Sequence, residues 1–366
     1  MTDETLDVAK LQTTLQQTKA TWVAGETPLT ALTREEKRLR LGAEPPPDEL
    51  SLEQREQVAR SNYQSGRGVK AVGIPAAFDW RNVGGKNFIT AIKNQGNCGS
   101  CVAFGAVATV EGATRVKRND ASFTVDLSEA HLFYCHAAAQ GRNCGNGWWV
   151  DPALDAFKNI GVADEACYPY TAGNQQCGVC SDWKNRVMKI PSWRKLTTIA
   201  DMKTQLSTKG PVAACFNVYD DFYAYRSGIY HHVSGDLLGG HCISVVGYSD
   251  TDKCWICKNS WAATWGENGF FRIAYGDCGI DYTMWAVEIS DINVDWLEKK
   301  LITGLWSVNQ ERRGAAFVDG VGWRYFSAEN DSVFLAMLTL LATAKTSKAL
   351  VNLRIESEVI KEIYVF

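Results

Sequence analysis

Residues 95–105 read Q-G-N-C-G-S-C-V-A-F-G, with two cysteines three apart in a loop-like run that turns apolar. That spacing suits a redox dithiol, a metal knuckle, or a structural thiol beside a reactive one. A thiolate is a strong nucleophile, but a free cysteine is mostly protonated at neutral pH. The run C-V-A-F-G-A-V-A-T-V-E-G, 101–112, is small and apolar all round and predicts a buried helix beginning at Cys101. A helix start favours the anion, because unpaired N–H groups and the dipole point at it. Cys101 is therefore the candidate nucleophile. Cys98, in the loop before it, cannot use the helix end as well.

A base is needed next, and a neighbouring imidazole supplies it best. The chain has His131, His136, His231, His232 and His241. Only His241 sits in a run of the right character, G-G-H-C-I-S-V-V-G-Y, where two glycines let a substrate backbone approach and a buried strand holds the ring. K-N-S-W at 258–261 offers Asn259 to orient the imidazole. The two histidines after G-I-Y, His231 and His232, read as surface residues on a loop, and His131 and His136 as packed helix residues.

The elements that position these groups sit in a 366-residue chain, long enough for two or three compact units. Hydrophobic residues at 46% and charged residues at 22% indicate a core-forming protein. The net charge is −3 and no long Lys/Arg block occurs, so there is no electrostatic footprint for nucleic acid. No apolar run reaches the roughly 18–20 residues of a membrane span. The start, M-T-D-E-T-L-D-V, is too acidic and polar for a signal peptide. Twelve cysteines point instead to a secreted or otherwise oxidising setting, and the compartment stays open.

Residues 1–41 look helical and polar, followed by a breaker at Pro45, Pro46 and Pro47. S-L-E-Q-R-E-Q-V-A-R reads as a short helix and S-G-R-G as a joint. From about Ile74 to 290 the chain is rich in Gly, Cys and aromatics, with C-I-S-V-V-G-Y and C-W-I-C-K reading as strands. Residues 291–366 lack Cys and His. They predict three strands, an apolar-faced helix and a closing hairpin, enough for a small domain.

Residues 74–290 resemble the papain-like cysteine proteases in register, through F-D-W-R, Q-G-N-C-G-S-C-V-A-F, L-S-E-A-H-L-F-Y-C, Y-P-Y, G-P-V, G-G-H-C and K-N-S-W-A-A-T-W-G-E-N-G-F-F-R-I. The spacing of Cys, His and Asn in that family is a documented pattern rather than a deduction from this chain. The resemblance implies an α+β fold of two subdomains, a helical left half and a β-barrel-like right half. It implies Cys101 as nucleophile, His241 as general base and acid, Asn259 as orienter and Gln95 as oxyanion donor with the Cys101 backbone N–H. Trp261 would shield the His–Asn pair. Substrate backbone would meet Gly99, Asn146 and Gly147, where Asn146 replaces a glycine of the family's C-N-G-G run. Gly239, Gly240 and Cys242 would wall the S2 pocket over a Thr283 floor. That pocket would be neutral and open to apolar or aromatic P2 side chains, with no acidic group placed for P2 Arg. Val102 and Ala262 also depart from the family, which has an aromatic and a glycine there.

The same resemblance pairs Cys98 with Cys144 and Cys135 with Cys177. Cys167 and Cys180 flank one loop and are a candidate third bridge. Cys215, Cys242, Cys254, Cys257 and Cys278 remain, with Cys278 expected free because no partner precedes His241. C-x-x-C, a spacing that zinc can use, occurs at 98–101, 177–180 and 254–257. Catalysis, disulfides and opposite strand faces account for the three in turn, so neither metal nor cofactor is expected.

Residues 1–73 then read as a propeptide inhibiting its own enzyme by lying backwards across the cleft, with a cuttable G-R-G-V-K segment. T-W-V-A-G-E, 21–26, resembles a run in cathepsin B propeptides. Residues 291–366 are similar in element order to the small OB-like barrels of bacterial toxin binding subunits. That likeness implies a β-rich module for a glycan or protein partner, or for oligomerisation. Trp306, Trp323 and Tyr325 are candidates for glycan stacking, with core packing the plainer expectation. The expected activity is cysteine endopeptidase on polypeptide substrates, made as a zymogen. The alternatives are a degenerate protease fold that only binds, and acyl transfer to an amine by the same Cys–His logic.

Overall fold

A computed structural model describes residues 6–66, 73–290, 294–308, 312–327, 330–356 and 359–366. Most of the G-R-G-V-K segment lies outside them. The chain divides into two units, Met1–Ser290 and Asp291–Phe366. Among the described residues no helix is long and apolar enough to cross a membrane.

The first unit opens with helix α1, Val8–Thr18, capped by the Asp7 side chain on the Lys10 N–H. Its Val8, Leu11 and Leu15 are buried, one face at helical spacing. Strand β1, Trp22–Ala24, follows, then α2, Arg34–Arg38, and α3, Leu52–Gln64. The last two begin at capping boxes, Thr33 with Glu36 and Ser51 with Gln54. The region read as helical over 1–41 is thus interrupted by a strand. The reason is tertiary: Trp22–Ala24 pairs antiparallel with β5, Tyr225–Tyr230, more than 200 residues away in the chain.

The protease-like part starts at β2, Ala77–Asp79, and α4, Cys101–Arg118. A π-helical turn, His131–Ala137, and α5, Val150–Asn159, complete the helical half. Val102, Ala106, Leu132, Phe133, Leu154 and Phe157 form its core. After β3, Ser192–Leu196, and α6, Ile199–Thr208, the sheet half comprises β4 (Val212–Tyr219), β5, β6 (Leu237–Ser249), β7 (Cys254–Lys258), β8 (Phe270–Ala274) and β9 (Met284–Glu288). The order is β1-β5-β8-β7-β6-β4-β9-β3, with β2 added to β6. α4 lies on β6, and Gly105 makes that approach possible: a Cβ there would sit 2.7 Å from the Cys242 sulfur.

The second unit runs β10 (Val294–Lys300), β11 (Ile302–Val308), β12 (Arg313–Val318), β13 (Gly322–Ser327), α7 (Asp331–Ser347), β14 (Val351–Glu356) and β15 (Val359–Val365). Its sheet order is β10-β14-β15-β13-β12-β11. β10 and β11 are separated by Leu301 alone, so one bent stretch of chain supplies both ends of that path. Ala316, Val318 and Phe326 point inward with Phe334 and Leu341 of α7. On β13, alternation with Phe326 turns Tyr325 and Trp323 outward. Trp306, Trp323 and Tyr325 are 50%, 48% and 59% exposed, which corrects the expectation of core packing.

Candidate active site

Cys101 is the first residue of α4, and the N-cap Ser100 makes no side-chain capping bond. Ser100 Oγ turns instead to Tyr170 Oη, 2.8 Å away. The N–H groups of the first helical turn thus have no competing side-chain acceptor. The loop before the helix is clamped by the Cys98–Cys144 disulfide and by the Gly99 N–H donating to the Cys144 carbonyl at 2.9 Å. Two further bridges, Cys135–Cys177 and Cys167–Cys180, lie in the same half. Cys98 and Cys101, three apart, have different fates: one is oxidised, the other free and buried.

His241 lies on β6, and its Nε2 is 2.8 Å from Asn259 Oδ1, just beyond β7. The bond holds the ring by Nε2 and leaves buried Nδ1 without a protein partner. Trp261 covers the pair with ring centroids 4.8 Å apart, and is itself backed by Tyr223 and Trp265. Gln95 is fully buried. Ser260 Oγ donates to Gln95 Oε1 at 2.6 Å, and the Ser260 N–H donates to Asn259 Oδ1 at 2.8 Å. Ser260 thus positions both amides at once. Its residue type was visible inside N-S-W, but its double contact was not. With Gln95 so held, its Nε2 donates to the Arg40 carbonyl at 3.0 Å and to the Cys98 carbonyl at 2.9 Å.

Residues 40–43 run between the two halves. Gly42 donates its N–H to the Gly240 carbonyl at 3.1 Å, and its own carbonyl accepts from the Trp148 N–H at 2.8 Å. The Ala43–Trp148 bridge is parallel. A Cβ on Gly42 would fall 2.1 Å from the Gly99 carbonyl oxygen, and one on Gly147 2.1 Å from the Gly42 carbonyl oxygen. Gly99, Gly147, Gly239 and Gly240 thus line a slot that the chain's own backbone fills, with Leu41 against Gly239 and Ala43 against Gly240. Asn146 is exposed and does not enter the slot; its Oδ1 accepts from the Asn143 N–H at 2.8 Å, within its own loop.

The cover also sets the protonation states. Burial pushes the Cys101 thiol up to about 12, against the opposing pull of the Cys242 and Gly42 N–H groups. Burial holds His241 down to about 4, against the Asn259 hydrogen bond and with help from the Arg40 charge. Both groups are neutral near pH 7 in this arrangement.

A cavity of about 40 Å³ beside the nucleophile helix is lined by Val102, Trp148, Cys215, Thr283 and Trp285, with Ala43 and Leu52 of the N-terminal region. Thr283 lines it, whereas Gly239, Gly240 and Cys242 are not among its lining residues. Asp151 also lines it, an acidic group that sequence reading did not place there. Its charge is matched by Lys195 at 2.9 Å, and it accepts from Trp285 Nε1 at 2.6 Å. His232 departs from a plain surface histidine: its ring stacks on Tyr219 at 3.7 Å, and Nδ1 is 3.4 Å from buried Asp221. His131 packs on His136, ring centroids 4.6 Å apart.

A thiol at a helix N-terminus, an imidazole held by an amide, and a cleft between a helical half and a sheet half define a cysteine peptidase of the two-subdomain type. The sequence profile of the papain family cysteine proteases matches residues 74–287, and the chain belongs to that family. It is 31% identical over 236 residues to a gut-specific cysteine proteinase of Caenorhabditis elegans, covering 57% of this chain and 71% of that protein. Among solved structures, digestive procathepsin L2 of Tenebrio molitor aligns with a TM-score of 0.62 at 26% identity, covering 77% of this chain and 89% of that one. Procathepsin B S9 of Trypanosoma congolense shares the fold, with a TM-score of 0.63 at 24% identity over 78% of this chain and 99% of that one.

Gln95→Ala in the processed enzyme is expected to lower kcat roughly 10²–10³-fold. KM for a peptide substrate should change little, which steady-state kinetics checks.

Proposed function

We propose that the chain is the zymogen of a cysteine endopeptidase, residues 1–73 being its inhibitory propeptide and 74–290 the enzyme. The observation that carries this reading is the engagement of Gln95 by the Arg40 carbonyl while Gly42 bridges Gly240 and Trp148. The propeptide thus uses the oxyanion donor and both cleft walls, as a substrate would. Burial under this segment pushes the Cys101 thiol up to about 12, so it stays protonated. A protonated thiol is a poor nucleophile, so the segment silences the site for as long as it covers it. The likeness to proforms, over more of the chain than residues 74–287, supports the same reading.

With the cover gone, Cys101 and His241 regain solvent and exchange a proton, giving a thiolate–imidazolium pair. The thiolate attacks the scissile carbonyl. Gln95 Nε2 and the Cys101 N–H hold the oxyanion, and His241 returns its proton to the leaving amine as the thioester forms. Water, deprotonated by His241, then releases the acid product. Asn259 keeps the ring aligned throughout, and Trp261 keeps water from that bond. Once residues 1–73 leave, Asp151 and Lys195 are the charged residues left on the Thr283 cavity, and because they pair at 2.9 Å it favours an apolar or aromatic P2 side chain. A P2 substrate scan with a strong preference for basic residues would contradict that assignment.

The sealed form is expected to weaken in acid. His241 is held near 4 when covered, against about 6.5 when free, so its contribution to sealing is complete above about 6.5 and is lost as pH falls towards 4. Glu44, raised by burial, works in the opposite sense: its protonation favours the sealed form as pH falls. Arg40 stays charged and disfavours the imidazolium. His241 has the larger lever because its burial is complete. Incubation of the full chain across pH 7 to 4 tests this: cutting near residues 66–76 should accelerate towards the acid end, with peptidase activity appearing in step. Full activity in the uncut chain at neutral pH would refute the zymogen reading.

The C-terminal unit is assigned as an OB-like accessory binding domain. The support is its strand path, with both ends supplied by β10–β11, and its exposed Trp306, Trp323 and Tyr325.

A further inference from the structure

Six cysteines lie outside the three bridges: Cys101, Cys215, Cys242, Cys254, Cys257 and Cys278. Cys101 is taken up by the chemistry above. Among the other five, Cys215 and Cys242 stand directly opposite each other in the antiparallel β4–β6 ladder. Residues so opposed are about 4.5–5.5 Å apart at Cα and project to the same face. That falls inside the roughly 4.4–6.8 Å that a disulfide spans. Its neighbour Cys215, together with burial, keeps the Cys242 thiol well above its ordinary value. The remaining three have no such partner. Cys254 faces Ser249 and Ala274 across the ladder, Cys257 faces Val245 and Phe271, and the Cys278 sulfur is turned to Asp277 Oδ1 at 3.0 Å.

The two thiols differ in access. Cys242 is wholly buried, its sulfur lodged where Gly105 of α4 lacks a side chain. Cys215 is half-buried and lines the cleft cavity with Val102, Thr283 and Trp285. A reagent from solution therefore reaches Cys215 first, and Cys242 reacts only with what Cys215 already carries. The pair also adjoins the catalytic centre, since Cys242 follows His241 directly on β6.

We propose that Cys215 and Cys242 are a redox modification site, forming a reversible disulfide in the wall of the substrate cleft with a small-molecule disulfide such as oxidised glutathione as the oxidant. In the first step the Cys215 thiolate attacks one glutathione sulfur. A mixed disulfide forms and one glutathione thiolate leaves. In the second step Cys242, giving up its proton, attacks the Cys215 sulfur, closes the protein bridge and releases the second glutathione. Two protein thiols are oxidised and one oxidised glutathione becomes two reduced ones. The bridge would tie β4 to β6 at the residue after the catalytic histidine and remove the Cys215 thiol from the pocket wall.

The test uses the full chain carrying Cys101→Ala, so that the nucleophile does not compete for oxidant. The protein is equilibrated in glutathione buffers from fully reduced to fully oxidised, quenched with one alkylating mass label, reduced, labelled with a second, and mapped by peptide mass spectrometry. The expected result is paired loss of two thiols, a linked Cys215–Cys242 peptide, and full reversal by dithiothreitol, with Cys254, Cys257 and Cys278 still reduced. Adding Cys242→Ala should leave Cys215 as a stable glutathione adduct, and adding Cys215→Ala should leave Cys242 reduced. Free Cys215 and Cys242 in the most oxidising buffer, or a lasting glutathione adduct on Cys215 with Cys242 present, would overturn the proposal.

Discussion

Cys101→Ala is expected to abolish peptidase activity in the processed enzyme, a loss of at least ~10⁴-fold in kcat. The size follows from the chemistry. Without the sulfur no thioester forms, and what remains is the oxyanion site and binding alone. Cys101 is fully buried at the first turn of α4, and the exchange removes one small atom from a closed wall, so the fold should survive. The readout is kcat on a peptide substrate, with thermal unfolding as the control for folding. Activity within tenfold of the parent, with an unchanged unfolding midpoint, would remove Cys101 from the mechanism and favour a protease fold that only binds.

Gly42→Val in the full chain is expected to break the seal while leaving the enzyme intact. The Gly42 backbone has no room for a side chain, because its Cβ would lie 2.1 Å from the Gly99 carbonyl oxygen and 2.6 Å from the Gly99 carbonyl carbon. These are backbone atoms of a loop clamped by Cys98–Cys144, so they cannot swing aside as a side-chain end would. Residue 42 must lift from the cleft. The Gly42 bonds to Gly240 and Trp148 are lost, and the Arg40 carbonyl is pulled from Gln95. Three hydrogen bonds of ordinary net value total roughly 2–4 kcal/mol, or about 30- to 700-fold in accessibility of the site. The measurement is the rate at which an epoxide warhead labels Cys101 in the uncut chain at neutral pH. The N-terminal region also docks elsewhere, through Trp22 of β1 on Tyr230 and Thr27 Oγ1 donating to the Tyr223 carbonyl, so the propeptide should stay attached.

The parts of the site that were legible in the sequence are those whose local pattern carries the function. Cys101 was readable because a small, apolar run announces a buried helix, and His241 because two glycines precede it in a strand. Gly105 carries no such local signal; only its place against β6 shows that a side chain there would meet the Cys242 sulfur. Other features needed the tertiary fold. The strand at Trp22–Ala24 is three residues long and exists because β5 offers it an edge. Ser260 is an unremarked hydroxyl until β7 brings it under Gln95. The threading of Arg40 to Ala43 leaves no periodic signal, since its partners, Gln95, Trp148 and Gly240, come from three distant segments. The exposed Trp306, Trp323 and Tyr325 show the opposite error, where residue type suggested the core and strand alternation put them outside. Strand β10 has no strand signature of its own, since V-D-W-L-E-K-K carries too many charges to read as a strand without its β14 partner.

On the proposed reading, residues 40–43 hold a competent Cys101 thiol silent. Epoxide labelling of Cys101, read by mass spectrometry before and after removal of residues 1–73, tests it most directly. The expected result is no adduct on Cys101 in the full chain at neutral pH and one adduct on Cys101 alone after removal. Equal labelling in both states would contradict the seal, and no labelling in either would contradict the nucleophile.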